Sequence, residues 1–255
     1  VAVVFYSDLQ LGKRTPTYNS EVCEQRMRRY AEKVIRLTDI QRADHPVRTA
    51  HVWLLGDIVE NEDIFPGQSW LVDASLYRQV AVDGPRITVN FLRRLLGHFD
   101  ALVVYGIIGN HGRIGRKGVY SPETNADRIL YRIVQQLLQE EKRITWVIPD
   151  GMGERGWYAV DRIGAYSCML FHGDQIRGGG FAGFPFYGLA KRVWGWRSGG
   201  IPDSFRDVAF GHWHQPIQVP LNDTIAWGTG SPESSNTWLQ ENFAACGRAC
   251  QRLNF

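Results

Sequence analysis

The sequence predicts an α/β sandwich whose sheets are flanked by helices, and three observations support this prediction. Short β-branched or aromatic apolar runs recur along the 255 residues, and each ends in a polar or glycine-containing cluster. Helix-length amphipathic stretches separate these runs in the first half of the chain. From Trp157 onward, the chain is rich in strand-like runs and long loops. Because strand and helix alternate as crossover units do, the strand ends are expected to open on one edge.

The predicted elements follow from these patterns in chain order. Five apolar runs are predicted to be buried strands, at residues 1–6, 51–55, 101–108, 166–171 and 208–210. Amphipathic periodicity predicts three helices, over residues 20–43, 75–96 and 125–141. Two further strands are predicted at residues 217–219 and 224–227.

Composition and charge narrow the class of protein. With 44% hydrophobic residues and nine tryptophans, the chain can bury a large core. A formal charge of +3 is mildly basic and far from the values of histone-like nucleic-acid binders. The four cysteines are sparse, which favours a reducing compartment, and no apolar run reaches the roughly 18 residues of a membrane span. We therefore expect one cytoplasmic domain over residues 1–255, with no membrane partner.

Metal-binding residue types stand directly after the predicted strands, where ligands bind in open α/β folds. The set comprises Asp8, Asp57, Asn110, His111, His172, His212 and His214. Carboxylate and amide oxygens mixed with imidazoles suit Mn²⁺, Fe or Zn²⁺, whereas a structural zinc site would be built largely from thiolates. Seven such groups exceed the needs of one ion. A carboxylate that bridges two ions, as in phosphatases and nucleases, accounts for the whole set.

Each residue taken alone also has a structural explanation. A strand-terminal aspartate such as Asp8 is often a helix N-cap, and His172 on an apolar run could be a hydrogen-bonded core histidine. Their joint occurrence favours metal ligation. His212 and His214 are two residues apart, so a strand would place both imidazoles on the same side.

Five short motifs in order resemble the calcineurin-like metallophosphoesterase superfamily. The superfamily pattern is D-x-H, G-D, G-N-H, a lone His and G-H-x-H, and the match runs here from Asp8 to His214. Each piece alone occurs by chance, but the ordered set at strand ends is specific. The resemblance implies a four-layer α/β/β/α sandwich, with two mixed sheets flanked by helices. It also implies hydrolysis of phosphate esters by a metal-activated water.

The resemblance further implies a role for each matched position. Three residues would hold the first divalent ion: Asp8, Gln10 and His214. Three others would hold the second: Asn110, His172 and His212. Asp57 would bridge the two ions. His111 would be the catalytic residue that contacts the phosphate and gives a proton to the leaving group.

Two positions depart from the superfamily pattern. Gln10 stands where His is usual, and its neutral amide oxygen is a weaker donor toward Zn²⁺ than imidazole. We therefore expect a weaker first site that favours Mn²⁺ or Mg²⁺. Gly112 follows His111 where many relatives carry Asp or Glu, so a carboxylate that orients His111 has to come from elsewhere. Asp174 and Glu60 are the candidates.

Basic and aromatic residues near the motifs are candidates for substrate contact. The predicted substrate-binding residues are Arg113, Arg116, Lys117 and Arg177. The alternative for the first three is a solvated loop. An insertion rich in glycine and aromatic residues spans about residues 177–200, and it either stacks bases or buries its aromatics as a lid or subunit contact. If these aromatics form a subunit contact, the protein is a homodimer, and the sequence leaves its oligomeric state undecided.

The motifs look most like the DNA double-strand-break-repair nuclease branch, and similar chains occur among phage-encoded metallophosphoesterases. The first hypothesis is a Mn²⁺-dependent DNA exo- or endonuclease with two divalent ions, for which Fe, Zn²⁺ or Mg²⁺ are alternatives to Mn²⁺. The second is a phosphatase or cyclic-nucleotide phosphodiesterase that acts on a small or protein-borne phosphate. The third is a DNA- or partner-binding module whose metal site has decayed at Gln10.

Overall fold

The first of two sheets carries most of the parallel strands. The structure, a computed structural model, describes residues 1–149, 156–178, 183–237, 241 and 249–255. This sheet contains β1 (Ala2–Tyr6), β2 (Thr49–Leu54), β3 (Ala101–Gly106), β4 (Ile144–Val147) and β10 (Leu253–Asn254). Its order is β10-β1-β2-β3-β4, in which β1 to β4 are parallel and β10 is antiparallel to β1. The carboxyl ends of β1, β2 and β3 therefore meet at one edge.

The second sheet is also mixed. It contains β5 (Tyr158–Ile163), β6 (Tyr166–Phe171), β7 (Asp207–Phe210), β8 (Gln218–Leu221) and β9 (Thr224–Gly228). Its order is β5-β6-β7-β9-β8, with β6, β7 and β9 parallel and the two edge strands antiparallel to their neighbours. The parallel pair β6 and β7 brings two further strand ends to one side.

Helices connect the parallel strands. They are α1 (Ser20–Arg42), α2 (Leu76–Arg78), α3 (Gly84–Leu96), α4 (Ala126–Leu137) and α5 (Phe186–Gly195). Asparagine side chains cap two of them, because Asn19 accepts from the amide of Val22 and Asn125 accepts from the amide of Asp127. These caps satisfy backbone amides in the first turns of α1 and α4.

The helix predicted over residues 75–96 contains a π turn at Gln79–Asp83, which joins α2 to α3. Pro85 follows this turn at the start of α3 and has no N–H to donate. A proline ring also clashes with the carbonyl four residues earlier in a regular α-helix. The wider turn accommodates the proline without ending the helical stretch.

Three hydrophobic cores show that the sheets and helices form four layers. One core packs α1, α3 and α4 against the outer face of the first sheet, with Met27, Leu92 and Leu130 at its centre. A second lies between the two sheets, and a third packs α5 against the second sheet. The layer order is therefore α/β/β/α, which confirms the predicted sandwich of two mixed sheets flanked by helices. The single domain stays a prediction.

A buried carboxylate also ties the two sheets together. Asp161 on β5 lies 2.7 Å from Nδ1 of His51 and accepts a hydrogen bond of 2.7 Å from the indole N–H of Trp53, both on β2. Asp161 is 1% exposed, so these two contacts to its Oδ2 compensate part of the cost of burying the carboxylate.

The second half of the chain differs in part from its prediction, which contained only strands and loops. Helix α5 forms there because Leu189 and Val193 share one face and pack on the second sheet. No helix among the described ranges is long and apolar enough to cross a membrane. The cytoplasmic location stays a prediction.

The core beneath the first sheet should determine stability. Replacing the fully buried Leu92 by alanine is expected to lower the free energy of unfolding by about 2–5 kcal/mol, because a cavity replaces well-packed contacts. Urea denaturation measures the change. Leu37→Ala on α1 is the matched control, since Leu37 is 45% exposed and should change stability by less than about 0.5 kcal/mol. Equal losses in the two variants would contradict the assigned core.

Candidate metal centre

The seven predicted ligands gather where β1, β2, β3, β6 and β7 end. They form two groups of neighbouring side chains. The His172 cluster consists of Asp57, Asn110, His172 and His212. The Gln10 cluster consists of Asp8, Gln10 and His214. Residues from five separate stretches of sequence therefore meet at one edge of the fold.

Four potential ligand atoms converge in the His172 cluster. Nε2 of His172 lies 3.1 Å from Oδ2 of Asp57, 3.0 Å from Oδ1 of Asn110 and 3.2 Å from Nδ1 of His212. The other ring nitrogen of His172 is 2.7 Å from the carbonyl oxygen of Leu55, so Nδ1 donates and Nε2 faces the cluster. A carboxylate and an amide oxygen facing a ring nitrogen are a suitable donor set for a divalent cation.

The electrostatics of this cluster also favour a cation. Burial opposes a charge on His172, but the carboxylate of Asp57 outweighs it and raises the pKa of His172 to about 10. Burial and the nearby charge of His172 together hold the pKa of His212 well below its usual range. Histidine binds a metal ion through a neutral ring, so an ion at this cluster would displace the proton of His172.

The Gln10 cluster lies beside the first one. Nε2 of Gln10 is 3.4 Å from Oδ2 of Asp57 and 3.4 Å from Nε2 of His214, and the same nitrogen of His214 is 3.5 Å from Oδ1 of Asp8. The other amide atom of Gln10, Oε1, is buried and accepts no hydrogen bond. Because a half-turn of the amide exchanges its nitrogen and oxygen, a carbonyl donor is available for a cation here.

Asp57 belongs to the His172 cluster and also reaches the Gln10 cluster. Its Oδ2 faces His172 on one side and Gln10 on the other, at 3.1 Å and 3.4 Å. Its Oδ1 accepts a hydrogen bond of 2.7 Å from the backbone amide of His111. Burial opposes ionisation, but His172 and then His111 hold the pKa of Asp57 well below its usual range. One buried carboxylate thus serves both groups.

Several predicted ligands adopt a left-handed backbone that residues other than glycine rarely use. Among the described part of the chain, eight non-glycine residues have a positive φ, and five belong to the predicted set: Asp8, Gln10, Asp57, His212 and His214. Their φ values lie between 48° and 65°. Such conformations cost about 1–3 kcal/mol each and persist where the surrounding structure enforces them. Their concentration at one edge indicates a functional site.

Two glycines let the strand ends approach closely. A Cβ atom at Gly109 would lie 2.1 Å from Oδ1 of Asp57, and one at Gly211 would lie 2.2 Å from Oδ2 of Asp8. Any side chain at either position would displace a predicted ligand. The glycines of the G-N-H and G-H-x-H motifs are therefore required by packing against the two carboxylates.

Asp127 supports the site from the first turn of α4. Its carboxylate accepts the backbone amides of four residues on two strand ends: Asp57, Ile58, Val59 and Gly109. Burial and the neighbouring Asp57 raise the pKa of Asp127 to about 6, against the effect of the amide donors. No motif pointed to Asp127, and the only signal in the sequence was its place just after a helix cap.

Glu60, one of the two predicted candidates, lies beside His111, but its backbone oxygen and not its carboxylate is the hydrogen-bond partner. Nδ1 of His111 lies 2.9 Å from the backbone oxygen of Glu60 and 3.5 Å from its Oε2. No hydrogen bond or ion pair joins Asp174 to His111 among the described residues. A Cβ atom at Gly112 would lie 2.4 Å from Oδ1 of Asn125, so no carboxylate can stand there.

Two charged residues that no motif indicated also lie at the site. Nζ of Lys13 is 3.2 Å from Oε1 of Glu233 and 3.7 Å from Oε2 of Glu60. The other oxygen of Glu233 is 3.2 Å from Nδ1 of His214. Burial opposes the charge of Glu233, but His214 and Lys13 lower its pKa. A lysine and a glutamate 220 residues apart gave no pattern from which this pairing could be predicted.

The predicted substrate-binding residues have different surroundings. The Arg113 guanidinium donates to the backbone oxygens of Asn110 and Ile64, at 3.2 Å and 3.1 Å. Three others are exposed: Arg116, Lys117 and Arg177. The structure therefore leaves three cations accessible and engages the fourth with the backbone of the site.

His212 and His214 reach the site in a way that the sequence did not predict. Strand β7 ends at Phe210, so the two histidines lie in the following loop and not on one side of a strand. Their left-handed backbones turn the chain, and each imidazole then joins a different cluster. The prediction that both imidazoles lie on the same side of a strand was wrong. The convergence of both residues on the strand ends agrees with the structure.

The insertion at about residues 177–200 is only partly available for binding. Residues 179–182 of this segment lie outside the described residues. Trp196 is buried against the second sheet, and Arg197 forms an ion pair with Asp223, so the base-stacking interpretation does not apply to these two. Among the described aromatic residues of the segment, Tyr187 and Trp194 are the most exposed, at 79% and 68%.

Comparison with known proteins gives only distant structural likeness. No protein-family model and no curated protein matches the sequence. Vps29 complexed with Zn²⁺ from Entamoeba histolytica is 12% identical with a TM-score of 0.40, over 91% of this chain and 75% of the other. A structure described as a novel archaeal phosphodiesterase has the same identity and TM-score, over 91% and 84%. A hypothetical protein from Pyrococcus horikoshii is 12% identical with a TM-score of 0.43, over 92% and 79%. Likeness of this degree does not transfer an activity to the chain.

The support from Asp127 is open to test. Asp127→Asn is expected to destabilise the protein, because the amide nitrogen cannot accept the backbone N–H groups that the carboxylate holds. Each buried donor left without a partner should cost about 1–3 kcal/mol. Chemical denaturation measures the loss, and the same substitution at the exposed Asp100 is the control. Equal stability of the two variants would contradict a supporting role for Asp127.

Proposed function

We propose that this chain is a metal-dependent phosphoesterase in which Asp57 bridges two divalent ions. The observation that supports the proposal is the position of Asp57, whose Oδ2 faces the His172 cluster at 3.1 Å and the Gln10 cluster at 3.4 Å. A carboxylate shared by two donor sets suits a pair of ions about 3.5–4 Å apart, the spacing found in phosphatases and nucleases.

The donors divide between the two ions as the clusters do. Asp8, Gln10 and His214 would hold one ion, and Asn110, His172 and His212 the other. The His172 cluster already includes three mutually close ligand atoms, from Asp57, His172 and His212. Two bound divalent ions would neutralise phosphate oxygens and lower the pKa of a shared water. Mn²⁺ suits this mixture of oxygen and imidazole donors, with Fe, Zn²⁺ or Mg²⁺ as alternatives.

His111 supplies the proton for the leaving group in this proposal. Its backbone amide donates to Asp57, so the residue is held against the bridging carboxylate. Its Nδ1 faces Glu60, which leaves Nε2 as the ring atom that can carry the transferable proton. General acid catalysis of this kind contributes on the order of 10²–10⁴ in rate.

DNA is the proposed substrate. The exposed Arg116 and Lys117 follow His111 in the chain, and cations beside a phosphate-cleaving site favour a substrate with several phosphates. The engagement of Arg113 by backbone oxygens is the observation that favours the second candidate, a phosphatase or cyclic-nucleotide phosphodiesterase. It removes one cation from contact with a polyanion. The homodimer stays a prediction.

A single assay with Mn²⁺ separates the two candidates. Linear duplex DNA, single-stranded DNA, bis-p-nitrophenyl phosphate and p-nitrophenyl phosphate are compared as substrates. We expect cleavage of DNA and of the diester, with a loss on the order of 10²–10⁴ in rate for His111→Ala because its proton is missing. Turnover of the monoester alone would contradict the nuclease, and activity retained in Asp57→Asn would contradict the two-ion site.

Gln10 should weaken the binding of the ion at its own cluster. Gln10→His is expected to bind that ion more tightly than wild type and to shift preference toward Zn²⁺, because imidazole is the stronger donor. Isothermal titration with Mn²⁺ and with Zn²⁺ measures both affinities. Gln25→His on α1, outside both clusters, is the matched control. Identical stoichiometry and affinity in wild type and Gln10→His would show that residue 10 is no ligand.

A further inference from the structure

A buried ammonium group lies behind the two clusters. Lys13 is 9% exposed, and the two carboxylates beside it, Glu60 and Glu233, are 0% and 3% exposed. A charge removed from water in this way is tolerated only when opposite charges compensate it. Lys13 has both carboxylates within 3.7 Å, so the three side chains form one buried ionic group.

Each carboxylate of this group also faces a histidine of the site. Oε2 of Glu233 is 3.2 Å from Nδ1 of His214, and Oε2 of Glu60 is 3.5 Å from Nδ1 of His111. Nδ1 of His111 also lies 2.9 Å from the backbone oxygen of Glu60, so each imidazole has Nδ1 on the side of its glutamate and Nε2 directed elsewhere. Within the described part of the chain, Lys13 lies at ion-pair distance from both of these carboxylates.

The loop that carries Glu233 is anchored to the site independently of its carboxylate. The hydroxyl of Ser231 donates to the backbone oxygen of Asp8 at 2.6 Å and accepts from the amide of Glu233 at 2.9 Å. No hydroxyl or amide donates to the Glu233 carboxylate among the described residues. The loop thus needs no charge at position 233 to stay in place, and the carboxylate lies at ion-pair distance from Lys13 and His214.

We propose that Glu233 and Lys13 are positioning residues for the ion of the Gln10 cluster. The carboxylate of Glu233, 3.2 Å from Nδ1 of His214, would keep the ring proton on Nδ1, so that the lone pair of Nε2 is available toward Asp8 and Gln10, where the ion would lie. Lys13 holds Glu233 in this orientation and holds Glu60 against His111 at the same time. A carboxylate behind a histidine ligand sets its tautomer and raises its basicity. This inference rests on the proposed function and adds the residues that set the affinity of one ion.

The test measures Mn²⁺ binding by calorimetry in wild type, Glu233→Gln, Lys13→Met and the double variant. Glu233→Gln should weaken the binding of one of the two ions by about 10–100-fold and leave the affinity for the other unchanged. A carboxylate behind a metal ligand changes the affinity only of the ion that this ligand holds. The double variant should lose no more Mn²⁺ affinity than the single variant that binds Mn²⁺ more weakly, since the two residues act as one unit. Glu62→Gln, the same change two residues from Glu60, is the matched control and should bind as wild type does.

A spectroscopic measurement separates positioning from a general loss of structure. In Zn²⁺-loaded protein with ¹⁵N-labelled histidine, His214 should carry its proton on Nδ1 in wild type and show a weakened Nδ1–H hydrogen bond in Glu233→Gln. Thermal unfolding of the metal-free Glu233→Gln protein should stay close to that of wild type. If Lys13→Met does not fold, the Glu233→Gln variant alone gives the decisive affinity.

The outcomes distinguish the two proposals. Wild-type protein that binds no divalent ion would overturn the proposed function, and this inference with it. Wild-type protein that binds two ions, together with unchanged affinity and unchanged ¹⁵N signals in Glu233→Gln, would overturn the positioning role alone. Equal weakening of both ions would also overturn it, because the effect would not be confined to the histidine that Glu233 contacts.

Discussion

The carboxylate of Asp57 is the group on which the rest of the site depends. It follows β2, the strand at the middle of the first sheet, and it contacts residues delivered by β1, β3 and β6. Its own backbone amide is held by Asp127 from α4. A shift of this one residue would separate the two clusters, because no other described carboxylate contacts both His172 and Gln10. The glycines and left-handed turns around it serve to keep that position.

Burying the charged groups of this site lowers the stability of the folded protein, and identifiable contacts offset this cost. Several carboxylates and imidazoles lie in a region that is almost closed to water, and burial disfavours each charge. Opposite charges within 4 Å and backbone amides from neighbouring strand ends offset that cost. The left-handed residues add strain. The strain is held by two large cores on either side, one beneath the helices of the first sheet and one between the sheets.

Local patterns predicted the elements closest to the site and missed others. The strands that end at Asp8, Asp57, Asn110 and His172 were predicted within a few residues, because β-branched runs and following polar clusters are local signals. Helix α5 was missed, since its glycines and aromatics resemble a loop until the second sheet supplies a surface to pack on. The short strands β4 and β10 depend on pairing with distant neighbours in the same way.

The sequence by itself determined the identity and order of the candidate ligands, because the chemistry of a side chain and its place after a strand are local properties. It also determined the departure at Gln10. Only the tertiary structure decided which residues support them. Lys13, Asp127 and Glu233 come from three separate segments and carry no spacing relative to the histidines and strand ends that they support. Contacts of this kind arise where chain segments pack, and a buried charge finds its partner in space and not along the chain.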